Sequence, residues 1–135
     1  MNSKIEKDLM YKGVRCVVLG LKMGHRCGYV AIPTDSEKYS EDYNSIDIEC
    51  HGGLTYGCVD NKYPVETKTP TAWIGFDCAH CWDKRDIDLM RELGADDKYI
   101  DMMTQMFEDP YAEVRTAEYC EEECKRIVDQ ILEAE

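Results

Sequence analysis

Trp73-Ile74-Gly75-Phe76-Asp77-Cys78-Ala79-His80-Cys81-Trp82-Asp83 is the stretch on which the reading of this chain turns. It opens as an apolar run and closes as a cluster of side chains able to ligate or move protons. Before it the apolar residues come in short β-branched runs; after it they recur at helical spacing. Strands first and helices second argue an α+β fold, with a mostly antiparallel sheet of about five strands covered by about three C-terminal helices. The 135 residues fit a single domain, 1–135.

Upstream, Val14–Leu21 and Cys27–Ile32 read as a hairpin turning at Gly24. Residues 1–12 read as a short helical arm, with Ile5, Leu9 and Met10 on one side and Lys12-Gly13 ending it. Residues 34–45 are a polar loop with room for one helical turn. Ile46–Cys50 alternates as a half-buried strand, Leu54–Val59 resumes after two glycines, and Thr71–Phe76 is the last strand.

Downstream, Asp86–Leu93 is helical and Gly94 ends it. Asp96 or Asp97 caps a second helix running to about Phe107. The last helix opens at Asp109-Pro110 or at the competing cap Thr116. Its stripe is Val114, Ala117, Cys120, Cys124, Ile127, Val128, Ile131 and Leu132.

The charge is unevenly spread. Residues 1–82 carry 11 acids and 9 bases; residues 83–135 carry 17 acids and 7 bases. A net charge of −12 repels a phosphate backbone, so duplex nucleic acid is an unsuitable partner. A small anion held by local N–H groups remains compatible. The acidic half also admits an interaction module that mimics nucleic acid, beside the plain reading of a solvated helix surface. No apolar run reaches the ~20 residues of a membrane span, and the first residues lack a secretory pattern, so the cytoplasm is the expected location. Eight cysteines then read as reduced thiols, most of them buried. A homo-oligomer is compatible with all of this.

Two stretches are expected to meet and form a site. His51-Gly52-Gly53-Leu54-Thr55 places a histidine beside paired glycines, which suits a pocket floor where a ligand touches backbone. A β-bulge with a turn histidine is the plain alternative. Asp77, His80 and Asp83 are spaced i, i+3, i+6 and share one side if 78–84 is a helical turn. His51, Asp77, His80 and Asp83 then form a set for one divalent metal, or His80 is a general base oriented by Asp77, with His51 as the further catalytic candidate. Asp83 as a helix cap and Asp77 as a turn closer are the structural alternatives. His51, Gly52, Gly53, Thr55, Asp77, His80 and Trp82 are the ligand-binding candidates, the indole as a stacking surface for a flat ligand. Cys78-x-x-Cys81 has zinc-knuckle spacing, but its second pair, Cys120 and Cys124, lies on an apolar stripe. His25 reads as an exposed turn histidine.

The stretches His51–Tyr56 and Trp73–His80, with Asp83, resemble those of a family of small uncharacterised phage, prophage and bacterial proteins. Gly28-Tyr29-Val30 to Pro33 and a helix starting near Tyr119 sit where that family has them. The resemblance implies a phage or mobile-element origin and supplies no activity. Cys81-Trp82 falls at a variable position of the pattern, which argues against Cys81 as a ligand. The expectation that follows is a binding protein for a small polar, nucleotide-like ligand, sequestering a nucleotide-derived signal of host immunity. A hydrolase acting on such a ligand is the alternative.

Overall fold

The computed structural model describes residues 2–105 and 109–133. Five strands, β1 Ser3–Tyr11, β2 Val14–Leu21, β3 Arg26–Ala31, β4 Tyr56–Asp60 and β5 Thr71–Asp77, form one sheet in the order β1-β2-β3-β5-β4. Every neighbouring pair is antiparallel. Three helices follow, α1 Ile87–Glu92, α2 Asp97–Thr104 and α3 Ala117–Glu133. The fold is therefore α+β, strands first and helices second. No helix among the described residues is long and apolar enough to cross a membrane.

The sheet is buried on both faces, which accounts for the unbroken apolar run of β2. Cys16, Val18, Val30, Ile74 and Phe76 pack under Cys120, Cys124, Ile127, Val128 and Ile131 of α3. Val17, Leu19, Tyr29 and Trp73 point to the other side and meet Val65 from the loop after β4. That loop is pinned by edge-to-face contacts of Tyr63 with Tyr29 of β3 and Tyr56 of β4, and by a 2.6 Å bond between the Tyr29 and Tyr63 hydroxyls.

The first twelve residues are a strand, not a helical arm. Lys12 (φ 50°) and Gly13 (φ 81°) both lie in the left-handed region, making a two-residue turn whose twist matches a hairpin. Tyr11 pairs with Val14 across it. An irregularity between Ile5 and Lys7 lets Glu6 reach Arg26, while Leu9 and Tyr11 face the core under α3. Ile46–Cys50 is likewise extended but joins no ladder. Ile46 and Ile48 are buried as the alternation demands, yet the backbone of Glu49 pairs with a side chain: its N–H donates to Gln130 Oε1 and its carbonyl accepts from Gln130 Nε2, both at 2.7 Å.

The helix signals are largely obeyed. Asp86 caps α1, Gly94 (φ 94°) follows it, and Asp96 caps α2. Phe107 lies outside the described residues. Of the two caps offered for the last helix, Thr116 is used: its hydroxyl accepts from the Tyr119 N–H at 3.1 Å. Asp109-Pro110 instead opens a turn, and Glu113–Val114 (β7) pair in parallel with Asp83–Lys84 (β6), leaving Val114 exposed and off the stripe. Thr116→Ala is expected to cost about 1 kcal/mol in urea unfolding, the ordinary value of a lost N-cap.

Candidate functional site

The site forms where β5 runs out. Asp77 Oδ1 accepts from the Ala79 N–H at 3.1 Å and turns the chain, so Asp77 does serve as a turn closer. Residues 78–82 are a turn and not helix. The Asp83 N–H donates to the His80 carbonyl (2.9 Å) and the His80 N–H to Asp83 Oδ2 (3.1 Å), which folds Asp83 back under His80. Asp83 caps no helix; that cap is Asp86. The His51 loop comes in from the side, with Gly52 (φ 69°) and Gly53 (φ 81°) both in the left-handed region. A Cβ on Gly52 would stand 2.3 Å from His80 Cε1, so the imidazole lies directly on this backbone. Nothing within 4 Å crowds Gly53.

Asp83 is the hub, with its side chain 0% exposed. His51 Nε2 lies 2.8 Å from Oδ1 and 2.9 Å from Oδ2. His80 Nδ1 lies 3.0 Å from Oδ2, and Arg115 Nε donates to Oδ1 at 3.0 Å. Burial pushes the Asp83 pKa up, but the hydrogen bonds from His51, His80 and Arg115 outweigh it and hold the carboxyl below its usual range. The carboxylate also sets both tautomers. Each imidazole presents a protonated nitrogen to it, so His51 Nδ1 accepts from the Tyr119 hydroxyl at 2.8 Å. His80 is left with Nε2 as an acceptor free of hydrogen-bond partners among the described residues; Asp77 Oδ1 is 3.9 Å away. Burial, with Glu123 adding to it, raises the Tyr119 pKa, and Arg115, 5.1 Å over the ring, acts against that.

Trp82 stacks on His80, centroids 4.6 Å apart and planes 2° from parallel, so one face of the indole serves the site itself. Of the expected residues, His51, Gly52, His80, Trp82 and Asp83 come together, and Asp77 stands at the edge. Thr55 is exposed, and its N–H bonds to the Gly75 carbonyl.

Donor atoms of His51, His80 and Asp83 lie within 4.8 Å of one another, as a metal site needs. Their arrangement fits a hydrogen-bond network better. Both imidazoles aim at the carboxylate itself at 2.8–3.0 Å, and Arg115 already brings a cation to it. A metal would have to take the place of the protons these bonds share. The two thiols of the Cys78-x-x-Cys81 pair part company. Cys78 is buried against Cys120 Sγ at 3.7 Å, a contact that with burial pushes its pKa far up, whereas Cys81 is exposed.

A cavity of about 300 Å³ adjoins the cluster, between the His80–Arg85 segment and the end of α2. His25 lies in its wall, half-buried rather than exposed, and accepts from Arg85 Nη1 at 3.0 Å. Burial first, then the Arg85 charge, depress the His25 pKa and keep the ring neutral. Arg85, Arg115 and Tyr119 were not among the expected site residues. Tyr119 alone had a sequence signal, an aromatic flanking the apolar stripe of α3 beside Cys120.

Comparison with known proteins gave no match to a family model, a curated protein or a solved structure.

Proposed function

We propose that this chain binds a small polar ligand, nucleotide-like in class, in the cavity beside His80, without a metal. One observation supports this reading above the others. A wholly buried carboxylate holds His80 through Nδ1, leaving Nε2 without a hydrogen-bond partner among the described residues, on a side chain that is 22% exposed and lines the cavity. Burying a charge is costly, and fixing one tautomer of a surface-reaching imidazole is a common reason to do so. The phage-like resemblance supports the ligand class: a nucleotide-derived signal of host defence, removed by sequestration.

The Asp83–His80 hydrogen bond also favours a second reading, turnover. In it Nε2 takes a proton from an attacking water and Asp83 steadies the resulting imidazolium. Thermal shift of the full chain against cyclic nucleotides and ADP-ribose-type compounds tests both. A panel member should raise the melting temperature of the wild type and leave His80→Asn unmoved. If that ligand is also hydrolysed, the same substitution should slow product release by roughly 10²–10⁴-fold. Binding without product leaves sequestration. Silence across the panel removes the nucleotide-like class.

A further inference from the structure

We infer that Arg85 anchors an anion subsite in this cavity, taking a phosphate or carboxylate group of the ligand. The inference rests on the proposed ligand cavity and adds the charge of what enters it. The chain has six arginines. Five of them bond a carboxylate: Arg15 with Asp8, Arg26 with Asp86, Arg91 with Asp97, Arg115 with Asp83, and Arg126 with Glu123. Arg85 has no carboxylate partner among the described residues, although acids outnumber bases 28 to 16.

Its own partners are all neutral. Nε donates to the Met103 carbonyl at 3.1 Å, and Nη1 donates to the Met23 carbonyl at 3.3 Å and to His25 Nε2 at 3.0 Å. Three acceptors from two segments, the turn between β2 and β3 and the end of α2, therefore fix the guanidinium plane without offsetting its charge, and Nη2 keeps its two N–H groups without a partner among the described residues. A guanidinium does not deprotonate, so this charge cannot be relieved by titration. Lys84, next along the wall, also lacks a carboxylate among the described residues.

The wall does include two carboxylates. Asp83 is already met by Arg115 and both histidines, and Asp109 Oδ1 accepts from the Tyr111 N–H at 2.8 Å. What the cavity offers a ligand is thus a pre-oriented, uncompensated guanidinium beside the free Nε2 of His80. That combination suits an oxyanion joined to a group with a hydrogen to donate.

The test is a ¹H–¹⁵N NMR titration of the full chain with inorganic phosphate, with acetate, and with the uncharged probe adenosine, against sodium chloride of equal ionic strength. Phosphate is expected to give saturable shifts at the Arg85 Nε–H and the His80 ring; acetate doing so instead would assign the subsite to carboxylates. Arg85→Gln should weaken the response about tenfold or more, the scale of one charge-assisted contact. Arg85→Lys should restore part of it. Arg85 also holds α2, so Lys84→Gln at an exposed position is the safeguard, and a drop of about threefold is expected there from the lost field. Phosphate and acetate shifts no larger than those of chloride overturn the inference. If adenosine moves His80 equally in wild type and Arg85→Gln while both anions do nothing, the anion subsite falls and the cavity reading stands. If no probe moves His80, both fall.

Discussion

Asp83→Ala will lower the stability of this protein by about 3–5 kcal/mol, as measured by urea unfolding at pH 7, because it leaves a guanidinium and two imidazoles turned toward an empty place. The carboxylate is fully buried and receives His51, His80 and Arg115 together with a backbone N–H. Asp83→Asn keeps the volume but replaces four-lone-pair acceptance by one carbonyl and two donors, so it recovers only part of the loss. The pH dependence has a definite sign. The folded-state pKa of Asp83 lies below its ordinary value, so its contribution is complete above the unfolded pKa. That contribution disappears as the pH falls out of the ordinary carboxylate range and through the lower folded value. The wild type should lose urea stability steeply on that acid limb, and Asp83→Asn should show a shallower limb. An equal slope in both would remove Asp83 from the hub.

Gly28→Val should cost about 3 kcal/mol, at the upper end of what overpacking a core costs. Gly28 sits in β3 opposite Phe76 of β5, and a Cβ there would meet the Phe76 ring at 2.4 Å and Cys124 Sγ at 2.9 Å. The absent side chain is what allows α3 to lie so close to the sheet. Neither neighbour can yield, since Phe76 is 1% exposed and Cys124 0%. The expected result is a lower urea midpoint at unchanged m-value, with far-ultraviolet dichroism preserved. Cys124→Ala in the same chain should return part of the loss by opening space above position 28.

Much of this fold could be read from local chemistry. The β-branched runs gave β2, β3 and β5, and the Asp-to-Gly punctuation gave α1 and the start of α2. The failures were cases in which local pattern is degenerate. Ile5, Leu9 and Met10 satisfy a helical face, and the irregularity near Glu6 spoils the simple alternation that would have marked a strand. What decides is the left-handed pair Lys12-Gly13, which returns the chain onto itself. The alternation of Ile46 and Ile48 reports burial of one side of an extended chain; it carries no information on whether the backbone pairs with a strand or with Gln130.

The site divides in the same way. His51 and His80 are legible as polar residues following strand-like runs, His51 beside paired glycines and His80 between two acids at i−3 and i+3. Asp83, however, takes the orienting role expected of Asp77, because residues 78–82 fold back as a turn where a helical turn would have carried all three side chains outward. Arg115 and Tyr119 reach the cluster from the segment before α3 and from α3 itself, and Arg85 is distinguished only by what it fails to touch. Such relations exist only once the sheet has assembled.

The placement of β1 beneath α3 bears on how the chain is made. Tyr11 and Lys12 bond Asp129, and Lys7 lies 3.5 Å from Glu121, so the first strand is stitched to the last helix. During synthesis the five strands emerge before residues 117–133 exist to cover them. The face carrying Cys16, Val18, Val30 and Phe76 therefore waits bare, with both the sheet and the Asp83 hub unfinished, until the far end of α3 leaves the ribosome. The nascent chain passes through a long interval in which its most apolar surface is exposed, and chaperone capture in the cell would fall within that interval.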